Sequence, residues 1–225
     1  MGLRPGGDRP RAGVRPGPGP ARPRVAGSAG RPEVNRQTHL ESRLEAIVRA
    51  TPSLMHVLAV ARGLDLPDWM VFSGAVYQRV LNDLTGRDGD YGVRDYDLGY
   101  FDPSDTSYEA EDAVIRRVAA AFEPPLREMV EVRNQARVHL WFEDKFGEPY
   151  APLGSTGEAL SRFVSPLFAV GVRLGVDDRL EIEAPFGLED LFALRLRPNP
   201  GRVTNGFART AASVRARWPE IEIVI

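Results

Sequence analysis

The sequence has no cysteine, so disulfides, thiolate nucleophiles and Cys-ligated zinc or iron–sulfur centres are excluded. It carries little net charge, −2 at pH 7 with a pI near 6.0, which argues against a chain whose main task is to coat nucleic acid or an anionic membrane. No apolar run approaches the ~20 residues of a membrane span, and the N-terminus lacks the apolar centre of a secretory signal. These absences lead to the expectation of a soluble cytoplasmic protein. What is present suffices for a core: 225 residues, 43% of them hydrophobic, have room for one domain or one domain with a small companion.

Residues 1–37 differ in composition from the rest. Gly, Pro, Ala and Arg dominate, and only Asp8 and Glu33 oppose the recurring arginines. Such a segment cannot bury enough apolar surface to offset its ordering entropy, so it is expected to be a disordered tail. It reads either as a basic arm for RNA or another polyanion, or as a plain tail or translated upstream sequence. The folded part is expected over 38–225, with a core at about 64–145 and an acceptor or lid region at about 146–225.

Thr38 and Glu41 have capping-box spacing before the stripe Leu40, Leu44, Ile47 and Val48. Thr51-Pro52 then opens a second helix that Gly63 ends. His56, alone in that helix, has no ligand partners nearby and reads as an ordinary residue.

The central stretch runs from Met70 to Asp102. Trp69 to Phe72 is short and fully apolar, as suits a buried strand. Ser73-Gly74 ends it, and Ala75 to Leu84 has helical spacing. A strand turning into a helix through a small pair leaves N–H groups and the positive end of the helix dipole free for phosphate. Gly74 would allow close approach of the phosphate, and Ser73 would cap the helix or hydrogen-bond a phosphate oxygen. After a Gly/Asp-rich loop, Asp95 and Asp97 share one face of a strand, with Tyr96 and Leu98 on the other. Paired carboxylates on one face attract a divalent cation.

Thr106 and Glu109 suggest a further capping box, opening a helix that stops before Pro124-Pro125. Met129 to Arg133 alternates as a strand, with Glu131 and Arg133 on one face. If that strand lies beside the Asp95/Asp97 strand, Glu131 completes a three-carboxylate cluster. Asn134 is positioned to cap a helix through Val138, Trp141 and Phe142. Residues 170–174 and 180–184 read as a hairpin, Asp190 as a cap or ion-pair residue, and Phe207 to Trp218 as a helix.

The order strand, Ser-Gly, helix, Asp-x-Asp strand, helix, acidic strand resembles the catalytic core of DNA polymerase β-like nucleotidyltransferases. Gly74-Ala75-Val76-Tyr77-Gln78, Asn82-Asp83-Leu84-Thr85-Gly86, Asp95 to Asp102, Val132 to Trp141, Ala184 to Phe192 and Arg197-Pro198-Asn199-Pro200 resemble more closely a bacterial branch of that superfamily of unknown function. The resemblance implies an α+β fold, a mixed β-sheet flanked by helices with a small C-terminal extension. It implies an NTP donor such as ATP, two Mg²⁺ or Mn²⁺ ions on Asp95, Asp97 and Glu131, and transfer of an NMP to an unknown hydroxyl acceptor with release of pyrophosphate. Ser73, Gly74, Arg133 and Arg137 would hold phosphate, the arginines through their guanidinium forks. His139 reads as a proton-transfer aid or a hydrogen-bonding neighbour. Two departures from the superfamily stand out: the usual phosphate-loop pair is Gly-Ser, here reversed, and the usual third acid is an aspartate, here Glu131. They leave open an inactive nucleotide-binding or protein-interaction module. Nucleic acid is a third possible partner, with the tail as its guide; a membrane is not expected.

Overall fold

The computed structural model describes residues 31–202 and 206–225; residues 1–30 of the expected tail lie outside the described residues. Helix α1 spans Arg31–Arg49, so it starts seven residues before Thr38. Leu40, Leu44 and Val48 form its buried stripe. In α2 (Pro52–Gly63), Leu54, Val57, Leu58 and Ala61 are buried. Thr51 precedes it without capping, because its hydroxyl donates back to the Ile47 carbonyl at 2.9 Å.

Strand β1 (Met70–Phe72) leads through Ser73 into α3 (Gly74–Thr85), which ends on left-handed Gly86. Then follow β2 (Tyr96–Tyr100), α4 (Tyr108–Ala120), the short α5 (Leu126–Met129) and β3 (Val130–Asn134). The cap of α4 is Ser107, whose hydroxyl accepts from the Ala110 N–H at 3.2 Å. That is one residue beyond the Thr106/Glu109 reading, and it leaves Glu111 buried inside the fold. Asn134 does cap, accepting from the Ala136 N–H, but what it caps is a 3₁₀ turn, Gln135–Leu140. A separate α6 (Phe142–Phe146) comes after it. The remainder comprises α7 (Thr156–Ser161), β4 (Gly171–Leu174), β5 (Leu180–Glu183), α8 (Glu189–Phe192), β6 (Arg195–Leu196), α9 (Phe207–Arg217) and β7 (Glu222–Ile223).

The main sheet has the order β3-β2-β1-β4-β5. Only β2 and β3 run parallel; the other neighbours are antiparallel, so the sheet is mixed. The hairpin β4–β5 belongs to this sheet, and the C-terminal region therefore builds part of the core layer as well as what lies above it. Strands β6 and β7 form a small parallel pair.

Along β2 the side chains alternate: Tyr96, Leu98 and Tyr100 are at most 2% exposed and pack under the sheet, while Asp97 and Gly99 face the other way. Glycine is needed at 99 because an added Cβ would lie 2.9 Å from the Thr156 methyl and 3.0 Å from Phe72 Cζ.

Asn82 on α3 ties separate parts of the chain together. Its Nδ2 donates to the Gly89 and Tyr91 carbonyls at 3.0 and 2.9 Å, and its Oδ1 accepts from Trp218 Nε1 at 3.0 Å. Arg79, one helical turn before it, is buried against Tyr96 and binds the Gly89 carbonyl and Asp90. No single described helix is long and apolar enough to cross a membrane.

Candidate functional site

The registers of three neighbouring strands set one row of side chains: Phe72 pairs with Asp97, and Asp97 with Glu131. Directly opposed residues point to the same face of a sheet, so the two acids stand side by side. Arg133 is two residues farther along that face. This row forms one wall of a cavity of about 680 Å³ that Ser73, at the β1–α3 turn, also lines.

Asp97 is the most perturbed acid there. Burial, then the Asp95 carboxylate beside it, pushes it up to about 6; Glu131 adds to this, while the Ser73 hydroxyl and Arg133 oppose it. Asp95 precedes β2 and lies against the start of α3, its Oδ1 3.9 Å from where a Cβ on Gly74 would sit. That Cβ would also meet Gln78 Nε2 at 2.8 Å, so glycine at 74 lets both side chains approach the turn. Asp95 and Glu131 are thus each near enough to Asp97 to disfavour its charge. Among the described residues, however, no three such side chains converge as a group able to hold a metal ion.

Ser73 has φ 62° and ψ −136°, a backbone conformation that costs a non-glycine residue about 1–3 kcal/mol. Its neighbours impose it: the Ser73 N–H donates to the Val170 carbonyl on the approach to β4, and its carbonyl accepts from Val76 and Tyr77. The hydroxyl does not cap α3; it is engaged with Asp97. The helix therefore keeps its N-terminus uncapped by any side chain, beside the acids.

Of the residues expected to bind phosphate, Ser73, Gly74 and Arg133 gather at this turn and row. Arg137 does not. It pairs with Glu111 on α4 and donates to the Thr106 carbonyl. Glu111 also accepts from the Asn134 N–H at 2.9 Å, and a carboxylate so buried requires a cation at hand. Arg137 is that cation, and the pair ties α4 to the 3₁₀ turn after β3. His139 does not line the cavity either; its Nδ1 is buried without a hydrogen-bond partner among the described residues. Asp190 accepts from Arg197 at 2.6 Å and from Arg195 at 3.4 Å, an ion-pair residue as expected.

The opposite walls come from the C-terminal half. Trp141, Phe142 and Tyr150 line one side; the Phe142 and Tyr150 rings lie 4.3 Å apart, and Arg202 sits over both. Helix α9 supplies another side with Arg217, whose guanidinium stacks on Trp218 at 4.7 Å. Burial pushes the Tyr77 phenol up, while Gln78 and Arg217 beside it oppose the shift. None of these residues carries a local motif. The one sequence signal is the spacing of Arg209, Ser213 and Arg217, a polar row on one face of a helix.

A mixed sheet with an uncapped strand-to-helix turn above a row of acids on parallel neighbours is the core of polymerase β-like nucleotidyltransferases. The chain belongs to the nucleotidyltransferase family whose model, described by that word, matches residues 59–223. It is similar to a solved NMR structure described as revealing a CCA-adding enzyme head domain, with a TM-score of 0.64 and 26% identity over 80% of this chain and 93% of that one. No curated protein matches it.

Proposed function

We propose that the chain transfers a nucleoside monophosphate from an NTP to a hydroxyl acceptor at the Asp97–Glu131 row. The observation that carries this reading is the juxtaposition of that row with the uncapped start of α3 inside one cavity. Oxygen-only donors that repel one another, one of them pushed up to about 6, fit a hard divalent cation of the Mg²⁺ or Mn²⁺ kind. Asp95 and Asp97 would hold it, with Glu131 joining them. Bound there, the cation would offset charge on the phosphoryl oxygens and on the leaving pyrophosphate.

The chain's own residues do the rest. The free N–H groups of α3 and the Arg133 guanidinium bind phosphate oxygens. Trp141, Phe142 and Tyr150 give the nucleobase an apolar face to stack on. Glu131, exposed at the end of the row, receives the proton of the acceptor hydroxyl. The acceptor oxygen attacks the α-phosphorus, the bond to the β-phosphate bridge breaks, and pyrophosphate leaves; positioning and charge compensation supply the acceleration. An RNA 3′ end is the first acceptor to try, because the similar solved structure is described as a CCA-adding enzyme head domain.

The test is calorimetry with Mg²⁺ and non-hydrolysable analogues of the four NTPs, on the wild type and on Asp95→Asn/Asp97→Asn. Metal-dependent binding that disappears in the double variant supports the reading and justifies a screen of acceptors by pyrophosphate release. If the wild type binds none of the four, the reading is wrong. The alternative, an inactive nucleotide-binding or interaction module, draws on the lack of a converged three-acid group among the described residues; nucleotide binding without pyrophosphate release would favour it.

A further inference from the structure

The charges around the cavity are not evenly compensated. Arg162 pairs with Glu158 at 2.8 Å, and Arg202 with Glu148 at 2.5 Å. Arg133, Arg209 and Arg217 also line the cavity, and none of them has an ion pair among the described residues. Two of these three, Arg209 and Arg217, are on α9, eight residues apart. Thr210 and Ser213 lie between them and line the same cavity, and Arg209, Ser213 and Arg217 follow the i, i+4 spacing of one helix face.

Arg217 is held as a ligand-binding guanidinium is held. It stacks on Trp218, which is fully buried and fixed by its hydrogen bond to Asn82. Stacking sets the plane of the guanidinium and leaves its edge free to donate. Its Nε is buried with no hydrogen-bond partner among the described residues, although buried donors are otherwise almost always satisfied. It also hydrogen-bonds the Tyr77 phenol, which senses Asp97 as well, so Arg217 lies near the start of α3 and the acids. A rigid guanidinium with no carboxylate partner among the described residues, beside a phosphate-binding turn, with a second one and two hydroxyls lining the same cavity, matches a polyphosphate chain.

We propose that α9 is the polyphosphate wall of the site. Arg217 and Arg209, with the Thr210 and Ser213 hydroxyls, bind the phosphates beyond the α-phosphate, the portion that leaves as pyrophosphate. This rests on the nucleotidyl-transfer reading for the identity of the donor. The shared chemistry, a linear polyphosphate, could arrive free or as part of a nucleotide, so the test uses both.

The probes are sodium tripolyphosphate without divalent cation, an NTP analogue with Mg²⁺, and adenosine, each titrated by calorimetry into wild type, Arg217→Gln and Arg209→Gln. Arg209 is exposed, so Arg209→Gln keeps the test valid should Arg217→Gln loosen the Trp218 stack; melting curves monitor the fold. Each variant is expected to weaken tripolyphosphate and the NTP analogue by about tenfold or more, with any adenosine binding unchanged. Variants that bind tripolyphosphate and the analogue as the wild type does overturn the inference. So does selective loss of tripolyphosphate alone, which would leave the transferase reading standing with its phosphates elsewhere. A wild type that binds tripolyphosphate through these arginines, but no nucleotide, would instead keep the wall and sink the transferase reading.

Discussion

Asp97→Asn should make the protein more stable at neutral pH, and the size of the gain follows from the site. In the fold Asp97 ionises at about 6 instead of 3.8, because burial and then the Asp95 charge disfavour its anion. Below pH ~3 it is protonated in both folded and unfolded chains and costs nothing. Between ~3 and ~6 the unfolded chain releases a proton that the folded chain retains, so stability falls as pH rises. Above ~7 the full penalty is in place, about 3 kcal/mol at roughly 1.4 kcal/mol per pH unit. An asparagine amide keeps the shape and an acceptor for the Ser73 hydroxyl without the charge. Urea unfolding of both proteins from pH 4.5 to 8 should give a difference of only about 1 kcal/mol at the acid end. At pH 8 they should differ by up to about 3 kcal/mol in favour of the variant. Mg²⁺ should narrow that gap by stabilising only the wild type. A difference that does not change with pH, or a wild type that is the more stable at pH 8, would refute the assignment of Asp97 as the buried, repelled member of the row.

Arg137→Gln should cost about 3 kcal/mol, because it strands the buried Glu111 carboxylate, and the folded variant should bind NTP analogues as the wild type does; denaturant titration and calorimetry check the two halves. Gly99→Ala should lose about 1–3 kcal/mol, since the methyl would press on Phe72 and Thr156, readable as a lower urea midpoint. Trp218→Ala should lose about 3–5 kcal/mol, as Trp218 is fully buried and hydrogen-bonded to Asn82; its affinity for tripolyphosphate, measured by calorimetry, should fall along with that of Arg217→Gln.

What could be read along the chain was what is local. The apolar run before Ser73, the helical spacing after Gly74 and the alternation from Tyr96 to Tyr100 each report their own element, because side-chain periodicity follows backbone geometry. The pairing of Asp97 with Glu131 was legible only as a condition, since it depends on which strands become neighbours. Arg137 shows the limit from the other side: an arginine near an acidic strand reads as a phosphate ligand until the fold brings Glu111, 26 residues earlier, against it. The same limit hid α9. Its arginines look like the solvated face of a C-terminal helix, and nothing local tells that Trp218 is anchored under α3. Ser73-Gly74 was legible as a turn, but not that the serine takes the positive φ and the glycine the crowded helical position. That reversal is the structural meaning of the inverted pair: the backbone demand at 73 is met by strain, and the hydroxyl goes to Asp97.

The three hydrogen bonds of Asn82 give the site a common datum. Two of them fix the loop that leads into Asp95 and the acid strand, and the third fixes the tryptophan on which Arg217 rests. Both jaws of the cavity, the acidic and the cationic, are therefore measured from one amide on one helix. No other side chain of that size offers two donors and an acceptor in this fork; aspartate has no donor and leucine has neither. The gap between jaws is a property of α3 itself, and substitutions far from either jaw, along the buried face of that helix, should act on both at once.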